Sequence, residues 1–181
     1  MGAIAFADVA FYLVLVFAPQ NAIRLAPQLA SFFSLITAIN ESLGIALVLL
    51  GGLLADRIGA SRCMRGSCLA LGVILLPAQL LMQQATVVDL AVGQLLAVVP
   101  LMLILGAYPA LLPAQFPTAQ RCTSFSLAYS LVVAVLGGTA PLLATWMVAE
   151  RGWSLGPVLY TLLWLPVGLW ALRGCRSTTL A

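Results

Sequence analysis

Charges interrupt this chain rarely, and the uncharged intervals between them have the length of membrane helices. Twenty-three uncharged residues separate Arg65 from Asp89, 31 separate Asp89 from Arg121, 28 separate Arg121 from Glu150 and 21 separate Arg151 from Arg173. A helix crossing about 30 Å of hydrocarbon needs about 20 mostly apolar residues. Each interval therefore holds one span, and none reaches the roughly 40 residues that two would require. Upstream, Leu25 to Ala55 is apolar except for Glu41, and Met1 to Ala18 is apolar except for Asp8. The pattern predicts six spans, at 3–19, 30–54, 66–83, 88–112, 123–148 and 154–172. Helices are expected because an open sheet or a lipid-exposed loop would leave backbone amides without partners. The first span is short and begins at the N-terminus, but no basic stretch precedes it, which disfavours a cleaved signal peptide.

Composition supports the same class. Hydrophobic residues make up 63% of the 181 residues and charged residues 7%, with a mean hydropathy of +1.12. Average soluble proteins are about 25% charged, so this chain reads as an all-α integral membrane protein. There is no His and no Lys; the eight cations are all Arg. That removes Ser-His-Asp and Cys-His pairs, His-based metal sites, catalytic lysines and basic nucleic-acid patches, and no enzyme activity, metal, cofactor or nucleic-acid partner is expected. With six spans, Arg57, Arg62, Arg65, Arg121, Arg173 and Arg176 fall on one side and Arg24 and Arg151 on the other. The positive-inside rule places the first side, with both termini, in the cytoplasm of an inner-membrane protein. Cys63, Cys68, Cys122 and Cys175 then lie in or beside cytoplasmic connections and, with no CxxC pair, read as small residues in a reducing compartment.

Candidate chemistry lies in polar residues that lipid would exclude. Glu41 sits near the middle of the second span beside Asn40, and Ser34, Thr37, Glu41 and Gly44 recur at offsets of three, four and three, placing them on one expected face. A carboxylate at the bilayer centre costs at least ~2.5–3.5 kcal/mol on insertion scales and should face the bundle interior or water. It is either a proton or substrate site or a structural hydrogen-bonding group. Asp8 and Asp89 are expected to be structural, Asp89 by helix capping after Thr86. The fourth span aligns Gln94, Leu101 and Tyr108 on one seam around an interior Pro100. The fifth carries Thr123, Ser126, Ser130, Val133 and Gly137 on a stripe, followed by Gly138 and Pro141, where helix packing and local helix weakening both apply. No Arg lies inside any span, so an anionic substrate would find its main positive partner elsewhere.

Two connections carry a family resemblance. Gly51 to Arg65 reads GGLLADRIGASRCMR, in which Gly52, Asp56, Arg57 and Gly59 resemble the Gly-x-x-x-Asp-Arg-x-Gly loop signature of the major facilitator superfamily, with its basic pair replaced by Ala60 and Ser61. Phe116 to Pro141 reads FPTAQRCTSFSLAYSLVVAVLGGTAP. It resembles the metabolite:proton symporters, from the cytoplasmic Phe-Pro-x-x-x-Arg ending at Arg121 into the penultimate helix. SFSLAYSL and GGTAP look most like the citrate and tricarballylate branch, with osmolyte (proline/betaine), oxoglutarate and shikimate carriers as near alternatives.

The resemblance implies that the six helices are the C-terminal half of a twelve-helix carrier, its helices seven to twelve. It implies alternating access driven by proton entry, a small carboxylate substrate, membrane lipid as surroundings, and a separate N-terminal six-helix half as partner. Spans one, two, four and five would line the cavity, bringing Glu41, Asn40, Gln94, Tyr129 and Ser130 forward as substrate or proton-coupling candidates. Gly52, Asp56, Arg57, Gly59, Arg121, Gly137, Gly138 and Pro141 would serve conformational change. The competing expectation is a non-transporting remnant, favoured by a Met1 so close to the first helix, or a membrane interaction subunit.

Overall fold

A computed structural model describes residues 2–175; Met1 and Arg176, both used above, lie outside the described residues. Six long helices follow in order, with no strand among the described residues. Helix α1 is Gly2–Leu25, α2 is Ala30–Ile58, α3 is Ala60–Met82 and α4 is Val87–Leu111. Helix α5 covers residues 121–149, and α6 is Gly156–Arg173. The first five are long and apolar enough to cross a membrane. Helix α6 has 18 residues, about 27 Å at 1.5 Å per residue, and includes Pro157, Pro166 and Arg173, which lower its mean hydropathy. The fold is an all-α membrane helical bundle.

Local chemistry sets the helix ends. Helix α2 stops at Gly59, whose φ of 92° lies in the region that favours glycine, and the Gly59 N–H closes the last turn on Ala55 O at 2.9 Å. Helix α4 starts at Thr86, whose Oγ1 accepts from the Asp89 N–H at 3.1 Å and donates to Asp89 Oδ2 at 2.5 Å. This is the capping arrangement expected from the sequence. Helix α1 runs to Leu25, past the expected end at residue 19. Pro19 does not end it because the turns before that proline are re-registered rather than broken, as described below.

Helix α4 packs between α2 and α3, and α1 packs on α6. Glycines allow these approaches. A Cβ on Gly106 would lie 2.2 Å from Val48 O and 2.9 Å from Gly51 Cα, so the α2 and α4 backbones are in direct contact. A Cβ on Gly93 would lie 2.7 Å from Ala78 O of α3. Phe6, Phe33, Leu71, Leu75, Leu90, Leu101, Ile104 and Leu111 are fully buried between the helices.

Burial is uneven. The most apolar 18 residues of α1 are 78% buried, whereas those of α2 and α5 are 22% and 17% buried. Helix α1 is therefore central, and α2 and α5 present most of their surface outward. At the arginine-rich end, Arg65 Nη2 donates to Leu172 O at 2.5 Å and ties α3 to the last turn of α6. At the opposite end, Gln83 Nε2 donates to Ser154 O at 2.5 Å.

Candidate functional site

Gln94 is the centre of a polar network inside the bundle. Its side chain is fully buried. Gln94 Nε2 donates to Val14 O of α1 at 3.1 Å and to Thr37 Oγ1 of α2 at 3.2 Å. Its Oε1 accepts from Asn40 Nδ2 at 3.2 Å, and Asn40 Nδ2 also reaches Ala91 O at 3.4 Å. Thr37 passes its own proton to Phe33 O at 3.0 Å. One amide thus joins α1, α2 and α4 with both its donors and its acceptor used, as a buried polar group in an apolar interior requires.

The acceptor on α1 is available for a specific reason. Tyr12–Phe17 is a π-helical segment, in which Ala18 N–H bonds Leu13 O, five residues back. In that register the next donor would serve Val14 O, but the next residue is Pro19, which has no N–H. Gln94 supplies the missing donor. The same construction recurs in α5, where Val133–Gly137 is π-helical and Pro141 follows within α5. A proline ring clashes with the carbonyl four residues before it. Those carbonyls belong to Leu15 and Gly137, each inside a π segment. The wider turn relieves the clash without ending the helix, which is the usual form of π-helix within α-helices.

The two π segments face each other. A Cβ on Gly137 would lie 2.5 Å from Tyr12 Cε2, so the Tyr12 ring occupies the space left by the missing side chain. Toward the arginine-rich end, Tyr108 of α4 and Tyr129 of α5 stack with centroids 5.8 Å apart and planes at 12°. Phe125 completes the cluster at 5.9 Å from Tyr129 and 6.4 Å from Tyr108.

The expected polar face of α2 is divided. Thr37, Asn40 and Gly44 face α4, with Gly44 against Met102, where a Cβ would lie 3.1 Å from its methyl carbon. Glu41 is exposed. It lines a groove of about 460 Å³ with Phe11 and Leu15 of α1, Ser42 and Val48 of α2, and Met102. Ser34 is exposed and bonds its own Ala30 O at 3.0 Å. The structure therefore joins Asn40 to Gln94 and leaves Glu41 apart, at the groove between α1 and α2. Ser130 is exposed on α5. Gly138 has open space where its Cβ would be, while Pro141 is half-buried.

The two sequence motifs meet at the arginine-rich end. Asp56, Arg57, Gly59 and Arg62 line one cleft of about 550 Å³ together with Ala110, Ala114 and Arg121. Three guanidinium groups and one carboxylate converge there. Gly52 lies inward of this cleft, where α2 meets Gly106. Among the described residues, no group of three or more His, Cys, Asp or Glu could hold a metal ion.

Gln94 and Asn40, expected as substrate or proton-coupling candidates, are seen here as partners in an inter-helix hydrogen-bond network, and the sequence pattern did not single out Val14, Tyr12 or the π segments. Interior prolines alone do not mark such segments, since Pro77, Pro100, Pro109 and Pro166 lie in helices that stay α-helical.

No family model matches the chain, and no solved structure matches it. Among curated proteins, it is 28% identical over 162 residues to a putative proline/betaine transporter of Staphylococcus aureus, covering 87% of this chain and 34% of that protein. It is 33% identical over 118 residues to the proline/betaine transporter of Escherichia coli, covering 65% of this chain and 23% of that one. To the ectoine/proline transporter ProP of Corynebacterium glutamicum it is 28% identical over 109 residues, covering 60% and 22%. The chain thus spans about a third or less of the relatives it matches. Their names concern proline, betaine and ectoine, and they do not support the citrate branch suggested by SFSLAYSL and GGTAP. The comparisons make this chain similar, over most of its length, to part of a bacterial membrane transporter.

Proposed function

We propose that this chain is six helices of a secondary transporter for a small zwitterionic osmolyte of the proline or betaine kind, working by proton-coupled alternating access with a second six-helix half. The observation that carries the reading is the similarity, over 87% of the chain, to the Staphylococcus aureus protein named a putative proline/betaine transporter. The geometry supports it. Helices α2 and α5 are the least buried of the five apolar spans, and the Glu41 groove opens beside α2. A partner half seated against α2 and α5 would enclose a cavity at the interface, where transporters of this general design bind substrate.

On this reading the arginine-rich end is cytoplasmic, in the inner membrane. The Asp56–Arg57–Arg62–Arg121 cleft lies at the mouth that opens and closes. Glu41, on the groove wall, is placed to meet substrate or proton, and Gln94 holds the helices that carry the wall. A zwitterion also suits a wall with a carboxylate and no arginine better than citrate does.

The test is uptake of radiolabelled glycine betaine, proline and citrate by cells co-producing this chain with an N-terminal six-helix half from a proline/betaine transporter. Uptake of betaine or proline above either half alone is expected. Uptake of citrate alone would replace the osmolyte reading. No uptake of any of the three, with both halves verified in the membrane, would remove the transport reading.

A further inference from the structure

Asp8 has no place in the network or the grooves described above, yet it is the one buried carboxyl group among the described residues. It lies two turns into α1 and is 6% exposed, and its Oδ2 is buried without a hydrogen-bond partner. Four residues on, and so on the same face, is Tyr12, which packs on Gly137. On α5, Tyr129 stacks on Tyr108 of α4 with ring centroids 5.8 Å apart.

The titratable group one turn on from Asp8 is Tyr12, and the neighbouring helices α4 and α5 carry Tyr108 and Tyr129. Helix α2 adds Glu41 in the groove beside Phe11, and α6 carries Tyr160. None of these is a cation. Arg24, the only cation of α1, is 16 residues away, about 24 Å along the helix. Arg121 precedes Tyr129 by two turns of α5. Arg173 lies beyond Gly168, which already packs at Ala3. A buried ion without a counter-ion is far costlier than a buried neutral acid. Asp8 lines neither the Glu41 groove nor the arginine-rich cleft.

We propose that Asp8 is a proton-carrying carboxyl group, held as the neutral acid in this packing of α1 and able to give its proton to water once exposed. The proton leaves an Asp8 oxygen for a water molecule and the carboxylate remains. This gives the proton-coupled reading a specific carrier and rests on that reading for its role in transport. The protonation itself does not depend on it.

The test is infrared spectroscopy of the chain in lipid bilayers, with isotope label on the aspartate side-chain carboxyl carbon. The Asp56→Asn, Asp89→Asn double variant leaves Asp8 as its only aspartate, so Asp8 can be read without altering it. A labelled carboxylic-acid band at neutral pH, shifted in heavy water and abolished by Asp8→Asn but retained in Glu41→Gln, is expected. Labelled absorption only as carboxylate at neutral pH in the double variant would overturn the proposal. Because the band is read in the chain itself, a co-assembled carrier that moves no osmolyte would remove the transport reading while the Asp8 proton could still be seen.

Discussion

The ring of Tyr12 lies where a side chain at Gly137 would be, joining the π-helical turns of α1 and α5. The contact has no slack, since a Cβ there would come within 2.5 Å of Tyr12 Cε2. Gly137→Ala is expected to destabilise the detergent-solubilised chain by about 1–3 kcal/mol, the usual cost of overpacking. Because the obstructing group is a side chain, Tyr12→Ala should relieve most of that loss. A double-mutant cycle of thermal unfolding measures it; additive effects would show that the two residues do not bear on each other.

Gly106 offers a sharper contrast. Its Cβ would meet backbone, Val48 O and Gly51 Cα, which no rotamer change can move. Gly106→Ala should lower the melting temperature clearly. Gly138→Ala, with open space around it, should hold or raise it through a gain in helix propensity of about 0.5–1 kcal/mol. Equal effects from the two alanines would contradict the α2–α4 contact.

Replacing Gln94 by Leu keeps bulk while removing the amide that links Val14, Thr37 and Asn40. Inter-helix hydrogen bonds in membranes average about 0.6 kcal/mol, and with several lost together a cost of about 1–2 kcal/mol is expected. The loss should also be local, with faster amide hydrogen exchange around Tyr12–Phe17. A uniform change in exchange across α1 would argue against a link at Val14.

The six helices were legible because charge spacing and bilayer thickness constrain each other: every uncharged interval became one helix. The capping role of Asp89 was legible because Thr86 stands three residues before it. The inward faces were not. A helix that is apolar all round carries little periodic signal, so Glu41 was grouped with Thr37 and Gly44 when the buried seam is Thr37, Asn40 and Gly44. The π segments escaped for a related reason. A fixed angular step per residue cannot register an inserted residue, and it placed Ser126 and Ser130 on a shared stripe with Gly137 that the wider turn does not preserve.

Cysteine accessibility tests the proposed orientation directly. Cys122 is exposed, whereas Cys63 and Cys68 are buried. A membrane-impermeant maleimide should label Cys122 in inside-out vesicles and leave it untouched in right-side-out ones. Cys63 and Cys68 should react only after denaturation. Labelling of Cys122 from the outer face would reverse the topology.

The bare contact of Gly51 and Gly106 has a mechanical consequence. With no side chain between them to act as a cushion, α2 and α4 are expected to move together where they touch. Helices α1 and α5 each carry a π turn just before a proline, where the regular helical hydrogen-bond ladder is already interrupted. A change of shape in this bundle is therefore expected beside Pro19 and Pro141 before it separates the pair that bears Glu41 and Gln94.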